Sequence, residues 1–538
     1  MKLRIGIDFD NTLISYDTLF RDLAAERGWL PKKFPASKDA VKERLIKDDD
    51  GSDLRWQRLQ AEAYGKNIVR AKPFAGCANW LRETLAAGHE VFLVSHKSEV
   101  SHIDPSVHLR DAARAWLKDH GFMANGKPDA SKLKQENVHF ASTRDEKVAQ
   151  IARLGLDVFI DDLGPVLDHP AFPVRTLGVH FGAAKTLGGV AAAGSWREIG
   201  RKLRPVAAIG PDAARALINV FGRAPIAAAP IAGGNNRLLI VTLEDGKKVL
   251  LKLYMLDERD PRDRAGAEYL ALTLMNAARC ERVPRAYHKD PSGAFTILSL
   301  LEGRHMRGRA DRAHVLQAAS FMKQVADLPR QGMPEAAHSR RCLNDYPRHI
   351  ERRLVRINEG LRDPRIPAEA RRFVREEIAP LKEKLLARFR AEAASLGLDL
   401  DAPLAPRERI PSPSDFGFHN AVLSPGGQVQ FIDFEYFGLD DPAKLAADFT
   451  HHVGQKVSPE LRKLFVRKLA AAVPDPEAFR RRYELVTPLV GLEWVLIVLN
   501  VLAPEQRDRR RFSDPGTNSD DIVGRRLAVA KRIIRRLS

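Results

Sequence analysis

Two carboxylates at spacing i, i+2 close the first apolar run of the chain, in Asp8-Phe9-Asp10-Asn11-Thr12. Alternate side chains of a strand point the same way, so Asp8 and Asp10 share the rim where open α/β sheets take ligands. One carboxylate there can attack phosphorus and form an aspartyl-phosphate. The other can protonate a leaving alcohol and then activate water. Two later apolar runs end in matching chemistry. Residues 91–94 lead into Ser95, a hydroxyl for a transferring phosphoryl group, and 158–160 lead into Asp161-Asp162, a hard oxygen pair suited to Mg²⁺. Thr12 adds a phosphate contact, and Lys147, one helix before the acidic pair, can neutralise phosphoryl charge; Lys97 competes for that role.

A second constellation lies far downstream, in Ser414-Asp415-Phe416-Gly417-Phe418-His419-Asn420 followed by Phe431-Ile432-Asp433-Phe434-Glu435. Phosphoryl transfer to an alcohol needs a carboxylate that orients the hydroxyl, and metal held by an amide and a second acid. The D-x4-N spacing and the strand ending in Asp433 supply them: Asp415 as base, Asn420 and Asp433 as Mg²⁺ ligands. Upstream, Lys252 sits inside the apolar run 249–253, where a cation is costly without an anionic partner such as an ATP phosphate. Glu268 is placed to pin it, and Gly233-Gly234-Asn235-Asn236 lets backbone amides approach phosphates.

These groups require strand ends to carry them. Short β-rich runs at 3–9, 90–95, 138–141, 158–161 and 174–177 alternate with helical stretches, the pattern of a doubly wound α/β domain over residues 1–200. A charge-rich helical insertion, 15–72, interrupts it. Ala, Gly and Pro around 188–194 and 205–211 mark a junction, so 201–212 reads as a linker. Beyond it, 238–242 and 248–254 bracket the turn Glu244-Asp245-Gly246, a hairpin signal. A helix with Ala267, Leu270 and Leu274 on one face follows, then a strand at 295–301. After Arg307 the chain is helical except for a β-rich patch at 420–434. This predicts an α+β bilobal domain, its small lobe at 213–303 and its large lobe at 304–538.

Bulk properties set the outer bounds. At 538 residues, with 44% hydrophobic and 29% charged, the chain is an ordinary core-forming one. Three scattered cysteines, Cys77, Cys280 and Cys342, argue against a disulfide framework or structural zinc and for a reducing, cytoplasmic setting. No secretory signal opens the sequence, and the apolar stretch 485–502 carries Pro488 and Glu493, which favours a buried helix over a membrane span. Residues 1–200 hold 29 Lys and Arg against 27 Asp and Glu, so 16 of the 18 net positive charges lie beyond them. Such a surface steers anions.

The order of nucleophile, hydroxyl, lysine and acidic pair over residues 1–200 resembles the haloacid dehalogenase superfamily. The resemblance implies a phosphatase in which Asp8 is the nucleophile and Asp10 the acid/base. Ser95 and Lys147 would hold the phosphoryl group, and Asp161, with Asp8 and the Asp10 carbonyl, Mg²⁺. The presence of Asp10 favours phosphatase over dehalogenase chemistry, and the insertion stands where that family carries a cap. Residues 213–538 are similar to the aminoglycoside phosphotransferase and choline kinase family, which shares the protein-kinase fold. That similarity implies ATP-dependent phosphorylation of a small molecule. Asp440-Asp441-Pro442 and Asp448 match a family segment, whereas the family's histidine two residues before the base is Pro413 here. Together the halves suggest a phosphatase and a kinase working at different positions of an anionic or sugar-like metabolite. Two alternatives are nucleic-acid end processing, disfavoured by the lack of a G-x4-G-K-[ST] loop and by 7% aromatics, and a regulatory protein with one inactive half.

Overall fold

Apolar runs bounded by turn residues become strands buried on both faces, and six of them build the first sheet. The computed structural model describes residues 1–127, 129–186, 188–231, 236–257, 260, 262–503 and 522–537. The chain divides into two units, Met1–Ala229 with Val241–Lys248, and Pro230–Ile240 with Val249–Ser538. In the first unit β1 (Arg4–Ile7), β2 (Glu90–His96), β3 (Val138–Ala141), β4 (Val158–Asp161), β5 (Leu177–Phe181) and β6 (Ala191–Ala193) lie in the order β3-β2-β1-β4-β5-β6. Pairings are parallel, with Ile5 opposite both Val91 and Val158. The winding reverses at β1, which has β2 on one side and β4 on the other. That reversal opens a crevice at the carboxyl ends of these strands.

The insertion leaves and re-enters the sheet through one antiparallel pairing, Ile14–Ser15 against Lys72–Pro73. Between them run α1 (Asp17–Glu26), α2 (Lys38–Asp48) and α3 (Leu54–Tyr64). Phe20 of α1 packs on Trp56 and Tyr64 of α3, at ring separations of 4.8 and 5.7 Å. Helix α4 (Arg144–Arg153) precedes β4, and its cap Thr143 accepts a hydrogen bond from the Glu146 amide.

Two expectations for the first unit need correction. The strand placed at 174–177 forms at Leu177–Phe181 instead: Val174 is exposed in a turn closed by the Thr176 amide on the Pro173 carbonyl. The stretch 201–212 is helical, because α5 (Trp196–Ile209) runs through it and α6 (Pro211–Phe221) starts inside it. Pro211 occupies the first turn of α6, where a missing N–H costs no hydrogen bond, and Gly210 at φ 89° makes the corner.

A five-stranded sheet follows: β7 (Pro225–Ile231), β8 (Arg237–Leu243), β9 (Lys248–Leu253), β10 (Ala286–Lys289) and β11 (Phe295–Ser299), in the order β10-β11-β9-β8-β7. Lys252 stands opposite Thr296 in the antiparallel β9–β11 pair. Helix α7 (Arg264–Ala277) buries Glu268, Ala271, Leu272 and Met275 rather than the face through Ala267, Leu270 and Leu274. The inward face is fixed by a carboxylate that Lys252 requires inside, which apolar periodicity does not reveal.

The rest of the second unit is mostly helical around the hairpin β12 (Ala421–Leu423) and β13 (Val429–Phe431), joined by Arg304–His305, and the expectation of helix outside 420–434 misses the antiparallel pair Ile410–Ser412 and Gly438–Asp440. Helices α8 (Pro442–His451), α9 (Pro459–Ala470), α10 (Pro476–Val498) and α11 (Ile522–Ile534) form much of its body. Residues 476–502 contain an 18-residue stretch apolar enough to cross a membrane, with mean hydropathy 2.1, yet 78% of that stretch is buried inside the unit. Glu493 lies within it, paired with Arg340, which is fully buried, and with Arg353 at 3.0 Å. It is a core helix with an ion pair in it.

Beside that pair, His349 is buried, and burial together with Arg340 pushes its pKa down to about 2. The unfolded chain takes up a proton near the ordinary value of about 6.5, which the folded chain refuses. Its contribution is therefore complete above that value and is lost as pH falls from there towards 2, by about 1.4 kcal/mol per pH unit. Denaturation of the second unit between pH 6 and 4 should show a slope shallower by that amount in His349→Gln.

Candidate active sites

In the first unit the parallel register puts Asp8, Ser95 and Asp161 at neighbouring strand ends. Lys147, projecting from α4, lies between two of them, 2.6 Å from Asp8 Oδ1 and 2.6 Å from Asp161 Oδ2. All three side chains are nearly inaccessible, at 1%, 5% and 0% exposure. Burial pushes the Asp8 carboxyl up to about 6, against the pull of Lys147. Asp162 is likewise raised to about 6, by burial and then by repulsion from Asp8. Carboxylate oxygens of Asp8, Asp161 and Asp162 lie within 4.8 Å of one another. Three acids crowded at a buried strand end, more than one lysine neutralises, fit a divalent cation on the chemistry of the donor set. Ser95 Oγ is buried with no hydrogen-bond partner among the described residues, which suits a hydroxyl meant for a ligand. Thr12 Oγ1 reaches Asp162 at 3.4 Å.

The two lysines divide the acids between them. Lys97, also buried, donates to both oxygens of Asp10, at 3.1 and 3.0 Å, and the Tyr16 hydroxyl donates to Oδ1 at 2.7 Å. For Asp10 to pass a proton to a leaving group, that contact must yield to the substrate oxygen. Tyr16 and Tyr64 come from the insertion and touch edge to face at 4.7 Å, and Lys97 sits 5.0 Å from the Tyr64 ring. Lys38 of α2 is near enough to feel Asp10 and Asp162. Tyr16 and Tyr64 had no signal in the sequence, being two aromatics among eight tyrosines.

Replacing Lys147 with methionine leaves Asp8 and Asp161 facing each other without the charge between them. Removing one partner of a buried pair costs about 3–5 kcal/mol. Thermal denaturation of Lys147→Met should show that loss, with millimolar Mg²⁺ recovering part of it.

In the second unit Lys252 gathers the acids. Its Nζ is 2.9 Å from Glu268, 2.6 Å from Asp433 and 4.0 Å from Glu435. Despite burial, which opposes the charge, Asp433 and Glu268 drive its pKa well above the ordinary value. Glu268 also accepts from the Tyr254 hydroxyl and from the Phe434 amide. Glu435 is buried and raised by that burial, yet it accepts from Asn236 Nδ2 at 2.6 Å and lies 3.7 Å from Arg264. Gly233 and Gly234 lie outside the described residues.

The β12–β13 register sets Ala421 against Phe431, and the Ile432 amide donates to the Asn420 carbonyl, so Asn420 and Asp433 become neighbours across the hairpin. Asn420 Nδ2 donates to the Asp415 carbonyl at 3.1 Å, leaving its Oδ1 as the amide atom free for a cation. Asp433 is about a third exposed, so an oxygen of it can reach one too. This pair fits Mg²⁺.

Asp415 is held by two histidines. His419 Nε2 is 3.0 Å and His452 Nε2 3.7 Å from Asp415 Oδ1, and the two rings stack 3.6 Å apart. The Gly454 amide donates to His452 Nδ1, so Nε2 carries the hydrogen and faces the carboxylate as a donor. Burial would lift the Asp415 carboxyl, but hydrogen bonds from His419 and His452 hold it well below the usual carboxylate range. Two imidazoles thus face the Asp415 carboxylate, one from His419 within the motif and one from His452, which sequence reading passed over.

Backbone strain marks the same places. Of the six described non-glycine residues with positive φ, Asn11 (53°), Ser414 (64°) and Asp433 (70°) adjoin or are candidate site acids. Ser414 is braced by Lys444 Nζ at 3.2 Å, and Lys444 pairs with Asp440 and Asp448, each at 3.0 Å. Asp441 caps α8 and pairs with Arg482 at 3.0 Å. The Asp440-Asp441-Pro442 segment and Asp448 therefore support the loop from below.

No protein-family model and no curated protein matches the chain. Solved structures similar to it include a choline/ethanolamine kinase family protein from Mesorhizobium loti, at 15% identity over 57% of this chain and 88% of that one, TM-score 0.36. A choline kinase from Streptococcus pneumoniae has 15% identity over 60% and 96%, TM-score 0.39. A spectinomycin phosphotransferase, solved with ADP and spectinomycin, has 11% identity over 60% and 98%, TM-score 0.39.

Proposed function

We propose that the chain is a bifunctional enzyme: a Mg²⁺-dependent phosphatase of the haloacid dehalogenase type in its first unit, and an ATP-dependent kinase of small-molecule hydroxyls in its second. One observation supports both halves. In each unit a buried lysine bridges acids brought from different elements, Asp8 and Asp161 around Lys147, and Glu268 and Asp433 around Lys252. Such clusters gather phosphoryl groups and cations.

In the first unit an Asp8 oxygen attacks phosphorus while the ester P–O bond breaks and the departing oxygen takes its proton from Asp10. Water then attacks the aspartyl-phosphate, gives a proton to Asp10 and releases orthophosphate, restoring Asp8. Ser95 and Lys147 hold the phosphoryl oxygens, with Thr12 beside them. Asp8, Asp161 and Asp162, with the Asp10 carbonyl, would hold Mg²⁺, which supplies charge neutralisation.

In the second unit the Asp415 carboxylate accepts the acceptor's hydroxyl proton as the hydroxyl oxygen bonds to the γ-phosphorus of ATP and the β–γ bridge breaks, releasing ADP. Lys252, pinned by Glu268, steadies the nucleotide phosphates, with Gly233 and Gly234 proposed alongside, and Asn420 and Asp433 would hold Mg²⁺.

Purified protein given a panel of phosphorylated alcohols and sugars with MgATP should release both ADP and orthophosphate. Orthophosphate without ATP consumption would remove the kinase half of this reading, and ADP without ester hydrolysis the phosphatase half.

A further inference from the structure

The second unit contains a cavity of about 890 Å³, the size of a small-molecule site, bounded by α8, α9, α10 and α11. Its wall is charged with one sign. Arg309, Lys456, Arg462, Lys463, Arg532 and Arg536 line it, and among the described residues no aspartate or glutamate does. Glu460, on α9, feels Lys463 and Arg309 but lies outside the lining. None of the six cations forms an ion pair among the described residues, although ion pairs are plentiful elsewhere in the unit. Burial and then repulsion from Arg536 lower the Arg462 pKa. Like charges gathered in a concave wall cost stability unless a ligand of opposite charge repays them. The start of α9, at Ser458 and Pro459, opens onto the same space and adds the positive end of a helix.

His452 ties this cavity to chemistry. It lines the cavity, and its Nε2 lies 3.7 Å from Asp415 Oδ1, so the wall stands one imidazole from the base. Gln455, another lining residue, accepts from the Phe418 amide inside the catalytic loop. We propose that this cavity anchors the acceptor of the second unit, and that the acceptor carries a phosphate or comparable multiply charged anionic group held by Arg462 and Arg536. The assignment rests on the kinase reading of Asp415. A cationic acceptor would be repelled by the same wall.

The test uses the full chain in the Asp8→Asn background, with MgADP filling the nucleotide site and inorganic pyrophosphate as probe in calorimetric titration. The double variant Arg462→Gln/Arg536→Gln should bind pyrophosphate at least tenfold more weakly, with MgADP affinity unchanged. Arg526→Gln/Arg535→Gln removes the same charge from α11 and its C-terminal end outside the lining and should change binding less than twofold. Should the first pair not fold, the exposed Lys456→Gln/Lys463→Gln pair carries the same expectation. Equal weakening in cavity and control variants, or none in either, overturns the proposal. Loss of binding confined to the cavity variant, with no phosphorylated alcohol yielding ADP in the unmutated chain, would leave an anion site and overturn the acceptor assignment, marking failure of the kinase reading itself.

Discussion

Asp415→Ala should lower acceptor-dependent ADP formation by about 10³-fold or more, within the range for loss of a general base in phosphoryl transfer. The carboxylate does two things that alanine cannot. As the proposed base it takes the hydroxyl proton, and it gives the stacked His419 and His452 a shared acceptor, without which the ring pair has no charge to face. Asp415 is about a third exposed, so its loss should unfold little. Nucleotide affinity should hold, because Lys252, Glu268 and Asp433 make none of the ion pairs or hydrogen bonds found at Asp415. A fall in kcat with steady MgATP binding, measured by coupled ADP detection and calorimetry, is the expected signature. Orthophosphate release by the first unit should be untouched.

The second large effect is at Asp8. Asp8→Asn keeps shape but removes the proposed nucleophile, and orthophosphate release from p-nitrophenyl phosphate should fall by about 10⁴-fold or more, as removal of a covalent nucleophile does elsewhere. Because burial holds the Asp8 carboxyl up near 6, the neutral amide should be tolerated inside the cluster far better than loss of Lys147. The two variants therefore separate chemistry from folding: Asp8→Asn should be inactive and stable, Lys147→Met inactive and destabilised.

Much of this was legible in residue order, since apolar runs stop at Asp8, Asp161 and Asp433, acids, and at Ser95, a hydroxyl. Spacing found Lys252 and Glu268 because a lysine within a strand demands a partner. What spacing could not find are contacts made by topology. His452 lies 37 positions from Asp415, at the end of a helix whose direction only packing decides. Lys97 was visible merely as a rival to Lys147, and the fold shows each lysine serving a different acid. Composition misled at 201–212, where Pro and Gly signalled a junction but Pro205 lies inside α5, Gly210 makes the corner and Pro211 starts α6. The left-handed conformations of Asn11, Ser414 and Asp433 have no signature in side-chain type beyond a mild tolerance in Asn and Asp. The basic excess shows in counts alone, and the gathering of six of its cations at one cavity emerges only when α9 and α11 come together.

The most direct measurement assays three proteins side by side, unmutated, Asp8→Asn and Asp415→Ala, each for ester hydrolysis and for ATP-dependent phosphorylation in the same Mg²⁺ buffer. Independent acid clusters predict a crossed pattern, each substitution silencing one activity and sparing the other. If either substitution abolished both activities in a folded protein, or neither altered any phosphate chemistry, the assignment of these carboxylates would be contradicted.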